Sequence, residues 1–97
     1  MKTLTGKQVR YLRGLGHHLQ PVVFIGKEAL TPALLAAAEE ALAHHELIKI
    51  KLQEGCLLDR REVATELSAV LKAEVAQVLG KTILLYRPGA EPVIQLP

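Results

Sequence analysis

The sequence predicts an α/β fold, a two-layer α/β (α+β) sandwich with a mixed four-stranded sheet. Three observations predict it. Apolar residues recur at helical spacing in three segments, short β-type runs separate those segments, and a Gly-Lys pair divides two runs near the end of the chain. The predicted order is therefore α-β-α-β-α-β-β. The 97 residues form one domain, 1–97, and a chain of this length buries about two-thirds of its extended surface.

A capping box marks the first helix. Thr5 and Gln8 have the S/T-x-x-Q form, which predicts a helix that starts near Gly6. Its apolar side carries Leu12, Leu15 and Leu19. The opposite side carries a cationic row without an acidic interruption: Lys7, Arg10, Arg13 and His17. The helix is thus predicted to be amphipathic and basic.

A buried strand and a second helix are predicted next. Pro21 ends the first helix, and the continuous apolar run over 22–26 is typical of a buried strand. Thr31 followed by Pro32 combines an N-cap with proline at the first helical position. The alanine-rich segment after it predicts a helix to about His45.

The second half of the chain adds a strand and a third helix. Residues 47–52 alternate, with apolar side chains on one side and Lys49 and Lys51 on the other. Asp59 is a cap-like start for a helix with an apolar stripe of Val63, Ala64, Leu67, Val70 and Leu71.

The segment Gly80-Lys81-Thr82 has the ending of a phosphate-binding loop. That motif needs a glycine five positions before the Gly-Lys pair, where this chain has Val75, and a helix after it. The runs 75–79 and 82–87 instead predict a β-hairpin with Gly80-Lys81 as its turn. Nucleotide chemistry at this segment is therefore disfavoured. A short extended segment over 93–96 is expected to follow.

Composition excludes several classes of function. The net charge of +2 says little about partners, and three aromatic residues are too few for an aromatic-rich base-stacking platform. The lone Cys56 cannot form an internal disulfide. No segment resembles a signal peptide or a membrane span, so we expect a soluble, cytoplasmic protein without membrane partners.

Two features could bind a polyanion. The cationic row of the first helix could neutralise phosphates, although an ordinary solvated helix face is the alternative. The loop Gly26–Leu30 leads from a strand to a helix N-terminus, where free N–H groups and Lys27 favour a phosphate, although such loops are common. Lys49, Lys51, Lys81 and Arg87 could extend a basic surface. For Lys49 and Lys51 the favoured interpretation is protection against aggregation.

Catalytic and metal sites are not predicted. The pairs His17-His18 and His44-His45 are adjacent on helices and point apart, and no carboxylate or thiol completes a zinc set. Cys56 has no assignable base. We therefore expect no enzyme activity, no metal and no cofactor.

Three stretches together resemble a known family. They are "LTGKQVRYLRGLGHHLQPVVFIGKEALT" at 4–31, "ALAHHELIKIKL" at 41–52 and "VLGKTILLYRP" at 78–88, with "IQLP" at the end. They resemble the YhbY-type RNA-binding proteins, which consist of a stand-alone CRM domain (chloroplast RNA splicing and ribosome maturation). The resemblance spans nearly the full chain. It implies a fold similar to the C-terminal domain of translation initiation factor three.

The resemblance also implies a GxxG loop whose glycines let RNA phosphates approach the backbone. The matching positions are Gly26, Lys27, Glu28 and Ala29, so the last glycine is absent and Glu28 adds a negative charge. If that position takes a positive φ, Ala29 is strained by about 1–2 kcal/mol. The departure puts the loop's RNA affinity in doubt.

The sequence therefore predicts an RNA-binding protein that is not an enzyme. The resemblance implies that it associates with precursors of the large ribosomal subunit, with ribosomal RNA as partner and no DNA. The predicted contacts are Lys7, Arg10, Arg13, His17, Gly26, Lys27, Glu28, Ala29, Lys81 and Arg87. The alternative is a protein-interaction adaptor that docks on a ribosomal protein or assembly factor. The RNA element, the assembly step, the oligomeric state and the role of Cys56 stay open.

Overall fold

The structure is a computed structural model, which describes residues 4–97. Its helices are α1 Gly6–Gly16, α2 Pro32–His44 and α3 Arg60–Leu71. Its strands are β1 Pro21–Ile25, β2 Leu47–Leu52, β3 Glu74–Leu79 and β4 Thr82–Tyr86. The α/β class and the order of elements are confirmed.

The four strands form one mixed sheet in the order β1-β2-β4-β3. β1 is parallel to β2, while β4 is antiparallel to both β2 and β3. The β3–β4 connection is the predicted turn, in which Gly80 has φ 58°. A left-handed conformation of this kind favours glycine because glycine has no Cβ.

Each helix begins at the residue that the sequence predicts. Thr5 Oγ1 accepts from the Gln8 amide at 3.1 Å, and the Gln8 side chain accepts from the Thr5 amide at 3.0 Å, which completes the capping box. Thr31 Oγ1 accepts from the Leu34 amide, and an Asp59 carboxylate oxygen accepts from the Arg61 amide. These side chains satisfy N–H groups that the first helical turn leaves without partners.

The sheet is covered on one face by two helices and partly covered on the other. α2 and α3 pack on one face over the main core, which includes Ile25, Ile50, Leu67 and Ile83, all fully buried. α1 and the C-terminal tail pack on the other face over a smaller cluster: Leu12, Leu47, Ala76, Leu84 and Tyr86. The predicted two layers are thus the sheet with α2 and α3, and α1 adds a partial third layer.

α1 lies very close to the sheet at Gly16. A Cβ at this position would come within 2.7 Å of the Leu84 methyl groups. The helix ends here and does not continue to Pro21 as expected. Leu19 therefore lies outside the helix, where it packs beside the smaller cluster, while Leu15 within α1 is 41% exposed.

β1 is an edge strand with one covered face, which corrects the prediction of a buried strand. Val23 and Ile25 point into the main core, whereas Val22 and Phe24 are 53% and 51% exposed on the other face. α1 does not reach this corner of the sheet. The side chains of β1 therefore alternate between exposed and buried, although the strand contains no polar residue.

The tail is held by Glu46 and adds no strand. The Glu46 carboxylate accepts from the backbone amides of Gly89, Val93 and Ile94 at 2.6, 2.9 and 2.7 Å. These bonds, with Ile94 the strongest contributor, hold the pKa of Glu46 below its ordinary value.

Among the described residues, no helix is long and apolar enough to cross a membrane.

Candidate nucleic-acid interface

The sheet face that carries α1 consists of three rows of side chains across the strands. The first row, at the end of the sheet away from α1 and the C-terminal tail, consists of Phe24, Lys51, Thr82 and Leu79. Each of these residues is in register with the next. The middle row contains Lys49, Leu84 and Gln77, and the last row contains Leu47, Tyr86 and Glu74. Leu79 in the first row is 66% exposed, whereas Leu84 and Tyr86 in the other two rows are 2% and 4% exposed. α1 and the tail therefore cover one end of the face and leave the Phe24 row open.

α1 borders this open area with its cationic side. Arg10, Arg13 and His17 line a shallow groove whose floor comprises Lys49, Gln77, Leu79, Thr82 and Leu84. Lys7 lies one helical turn before Arg10 and is exposed. His17 is the C-cap residue of α1, so the row continues to the point where the helix ends. Arg10, Arg13 and His17 thus share one groove with Lys49.

A second groove continues the surface toward the carboxyl ends of β1 and β2. Phe24, Lys51 and Lys81 line it, together with Leu52, Gln53 and Glu54. Lys51 and Thr82 are cross-strand partners, and each lines one of the two grooves. The Lys81 carbonyl accepts from the Leu52 amide at 2.7 Å, which fixes the hairpin turn against the end of β2. The grooves are therefore contiguous.

The Gly26–Ala29 loop lies at the end of this second groove. The Gln53 amide donates to the Ile25 carbonyl at 2.8 Å, and a Cβ on Gly26 would lie 3.2 Å from Gln53 Oε1. Lys27 passes close to Gly55 of the neighbouring loop. Lys27 and Glu28 are exposed, and Thr31 and α2 follow. The α1 cations border the first groove, and the loop adjoins Gln53 at the end of the second.

Ala29 adopts a left-handed backbone conformation, which favours glycine. Its φ is 56°, in the left-handed region, and its amide donates to the Gly26 carbonyl at 3.0 Å. The chain thus forms this turn with alanine at the position of the second glycine. The methyl group at Ala29 costs about 1–2 kcal/mol in this region.

Arg87 does not join this surface. Tyr86 faces α1, so Arg87 points to the other face, where its guanidinium binds the Glu39 carboxylate in two places and donates to the Leu71 carbonyl at 2.9 Å. The hydrogen bonds from Arg87 hold the pKa of Glu39 below its ordinary value. The prediction that Arg87 extends the basic surface is corrected, because its partners anchor it between α2 and the end of α3.

The cations of the surface are free of acidic partners. In the described part of the chain, Arg87–Glu39 is the only ion pair whose nitrogen and oxygen atoms lie within 4 Å of each other. Arg10, Arg13, Lys49, Lys51 and Lys81 accordingly keep their charges available for a polyanion.

Two parts of this surface were missed or undervalued by sequence reasoning. Phe24 was assigned to a buried strand but is exposed, and Lys49 and Lys51, for which protection against aggregation was the favoured interpretation, line the two grooves. The alternation of Lys49 and Lys51 was visible in the sequence. What the sequence lacked was the position of α1, which decides which part of that face stays open.

Among residues 4–97 no group of histidine, cysteine or acidic side chains could hold a metal ion.

Comparison with known proteins decides the family. Residues 4–87 match the CRS1/YhbY (CRM) domain. The chain belongs to the CRS1/YhbY (CRM) domain family. A relative named "RNA-binding protein" from Haemophilus influenzae is 43% identical over 97 residues, covering 100% of this chain and 98% of the relative. "Probable RNA-binding protein YqeI" of Bacillus subtilis is 38% identical over 95 residues, covering 97% and 99%.

A solved structure shows the same CRM architecture. The solution structure of a Staphylococcus aureus protein, described as a candidate RNA-binding protein, matches with a TM-score of 0.83 and 36% identity. The match covers 98% of this chain and 100% of that chain. Family and relatives support an RNA-binding function for this CRM domain.

Proposed function

We propose that this CRM domain is a non-enzymatic, cytoplasmic RNA-binding protein that assists maturation of the large ribosomal subunit by binding ribosomal RNA in its precursors. The observation that carries the proposal is the shared surface: the α1 cations border the sheet groove with Lys49, and the Gly26–Ala29 loop lies at the end of the adjoining groove. Family membership and the names of the relatives support RNA as the ligand.

The α1 side of the surface fits a phosphate backbone. Arg10 and Arg13 are exposed, one helical turn apart, and have no carboxylate within 4 Å. Arginine binds phosphate through two N–H groups at once, which adds geometric specificity to the charge attraction. Lys49, on the floor of the same groove, adds a third positive charge. Lys7 and His17 extend this row at its two ends.

The loop side offers a different kind of contact. Gly26 lacks a side chain at the point where β1 ends, and Lys27 beside it is exposed. Backbone amides near a helix N-terminus attract phosphate, and Lys27 strengthens that attraction. Glu28 opposes it, so we assign the stronger contacts to Gly26 and Lys27. Lys81, at the hairpin turn, connects this loop region with the groove.

The salt dependence of RNA binding tests the α1 contact. We would titrate fluorescently labelled fragments of large-subunit ribosomal RNA by anisotropy at several salt concentrations. Each neutralised phosphate contributes about 0.7–0.9 to the slope of log affinity against log salt. The double variant Arg10→Gln with Arg13→Gln should therefore flatten the slope by about 1.5.

A matched control separates a local contact from a general loss of charge. Lys72→Gln removes one positive charge at the C-cap of α3, behind the other face of the sheet, and is compared with the single variants Arg10→Gln and Arg13→Gln. This control should leave the slope close to that of the wild type. Flattening by Lys72→Gln as large as that by Arg10→Gln or Arg13→Gln, or no flattening by either arginine variant, would contradict the assignment of α1 to the interface.

Sedimentation of cell extracts tests the ribosomal part of the proposal. The protein should migrate with precursors of the large subunit, and mild nuclease treatment should release it. Retention on particles after nuclease would instead favour the adaptor alternative, in which a ribosomal protein or assembly factor holds the chain. Absence from precursor particles would contradict the proposed ligand while leaving RNA binding itself intact.

A further inference from the structure

We propose that Phe24 is a stacking platform for one unpaired base of the bound RNA, with the adjoining phosphates placed at Lys51 and Lys81. The proposal rests on the proposed function and names the kind of RNA at this site: unpaired nucleotides and not a continuous duplex. Its starting point is an aromatic side chain that the fold leaves open, since Phe24 is 51% exposed while Tyr86, on the same sheet face, is 4% exposed.

The position of Phe24 explains why it stays open. β1 pairs on one side with β2, and α1 covers the opposite end of this face at Leu84 and Tyr86. Phe24 lies in the uncovered row and is in register with Lys51 on the neighbouring strand. The ring therefore lies beside a charged side chain on a flat sheet surface, which is the arrangement used by sheet domains that stack bases on aromatic residues.

The groove around Phe24 has the chemistry that a nucleotide needs. Lys51 and Lys81 line it and have no carboxylate within 4 Å, so they can bind phosphate. Gln53 supplies an amide that can donate to or accept from a base edge. Glu54 also lines the groove. A carboxylate repels phosphate but accepts from a base amino group, so the phosphates are assigned to the lysine side.

Stacking requires a free base face, which a duplex does not offer. The bases of an RNA duplex stack on one another, and proteins that read RNA sequence bind unpaired segments whose bases can turn out. The α1 row accepts phosphates of either form. The Phe24 groove consequently distinguishes the two, and unpaired RNA should bind more tightly than duplex RNA of equal length.

A tryptophan at this position reports stacking directly. The chain contains two tyrosines but no tryptophan, so Phe24→Trp introduces a single tryptophan, whose emission can be excited selectively. We would titrate this variant with a labelled single-stranded RNA dodecamer and with a dodecamer duplex, and follow both tryptophan emission and anisotropy. The single strand should quench the emission with the same midpoint as the anisotropy change, whereas the duplex should bind without quenching.

Val70→Trp is the matched control, because Val70 is 53% exposed but lies on α3, behind the other sheet face. Its emission should not change with either RNA. Phe24→Leu keeps an apolar side chain without an aromatic ring and should lower affinity for the single strand at least about fivefold. It should leave duplex affinity unchanged. Urea unfolding of each variant confirms that the fold is retained.

The outcomes distinguish the two proposals. Anisotropy binding without quenching in Phe24→Trp, or equal loss of both RNA affinities in Phe24→Leu, would overturn the stacking role and leave the proposed function standing. Failure of wild-type protein to bind either RNA would overturn the proposed function itself. Quenching by poly-glutamate as strong as that by RNA would identify an acidic protein segment as the occupant and refute stacking.

Discussion

Replacement of Ala29 by glycine measures the strain in the Gly26–Ala29 loop. Ala29 has φ 56°, where a side chain costs about 1–2 kcal/mol relative to the ordinary regions. Glycine removes this penalty. It also gives the unfolded chain more freedom, which opposes folding by about 0.4–1 kcal/mol. Ala29→Gly should therefore raise the free energy of unfolding by about 0.5–1 kcal/mol, the difference between these two terms.

The control is Ala90→Gly in the exposed tail. Ala90 is not among the residues with positive φ, so only the unfolded-state term acts there. This variant should lose about 0.4–1 kcal/mol. The unfolded-state terms largely cancel between the two variants. Their difference should accordingly approach the left-handed penalty alone, about 1–2 kcal/mol.

Urea unfolding followed by circular dichroism measures both variants against the wild type. A stabilisation of this size raises the melting temperature of a domain of this length by about 3–6 °C. Ala29→Gly and Ala90→Gly destabilising by equal amounts would refute the reasoning. In that case Ala29 would not hold the left-handed conformation, and the comparison with the family's second loop glycine would lose its physical basis.

Two further predictions concern α1 and the tail. Gly16→Ala should lower the free energy of unfolding by about 1–2 kcal/mol because the new methyl group collides with buried Leu84. Gly14→Ala, whose methyl group would meet nothing within 4 Å, should raise it by about 0.5–1 kcal/mol. Changes of the same sign for both variants in urea unfolding would contradict the close packing of α1. Glu46→Gln should be less stable than the wild type at pH 7, and the gap should shrink as the pH falls below 4.5. The reason is that a pKa lowered in the folded state contributes stability that is lost on protonation. A gap that is constant down to pH 3, measured by urea unfolding at each pH, would show that the carboxylate charge does not hold the tail.

The element boundaries were predictable where the signal is local. The Thr5–Gln8 capping box, Pro32 after Thr31, and Gly80-Lys81 each act within about four residues, and each begins or closes an element as predicted. The third helix shows where pattern reasoning overreaches. Its apolar stripe included Val70, which is 53% exposed, because the stripe is wider than the sheet surface that α3 covers.

The candidate interface was predictable in part. The cationic spacing on α1 follows from helical periodicity, and the family pattern located the Gly26–Ala29 loop. Arg87 was misplaced because its partner Glu39 lies 48 residues away. Phe24 was misplaced because an apolar run does not reveal whether one or both faces of its strand will be covered.

The sequence by itself determined the helices, strands and turns, the charged side of α1 and the family. These depend on contacts between near neighbours and on residue pattern. Only the tertiary structure decided that α1 packs at one end of the sheet face opposite α2 and α3, which leaves Phe24 and Lys51 open beside its arginines. The physical reason is that this packing depends on contacts such as Gly16 against Leu84, between residues far apart in the chain.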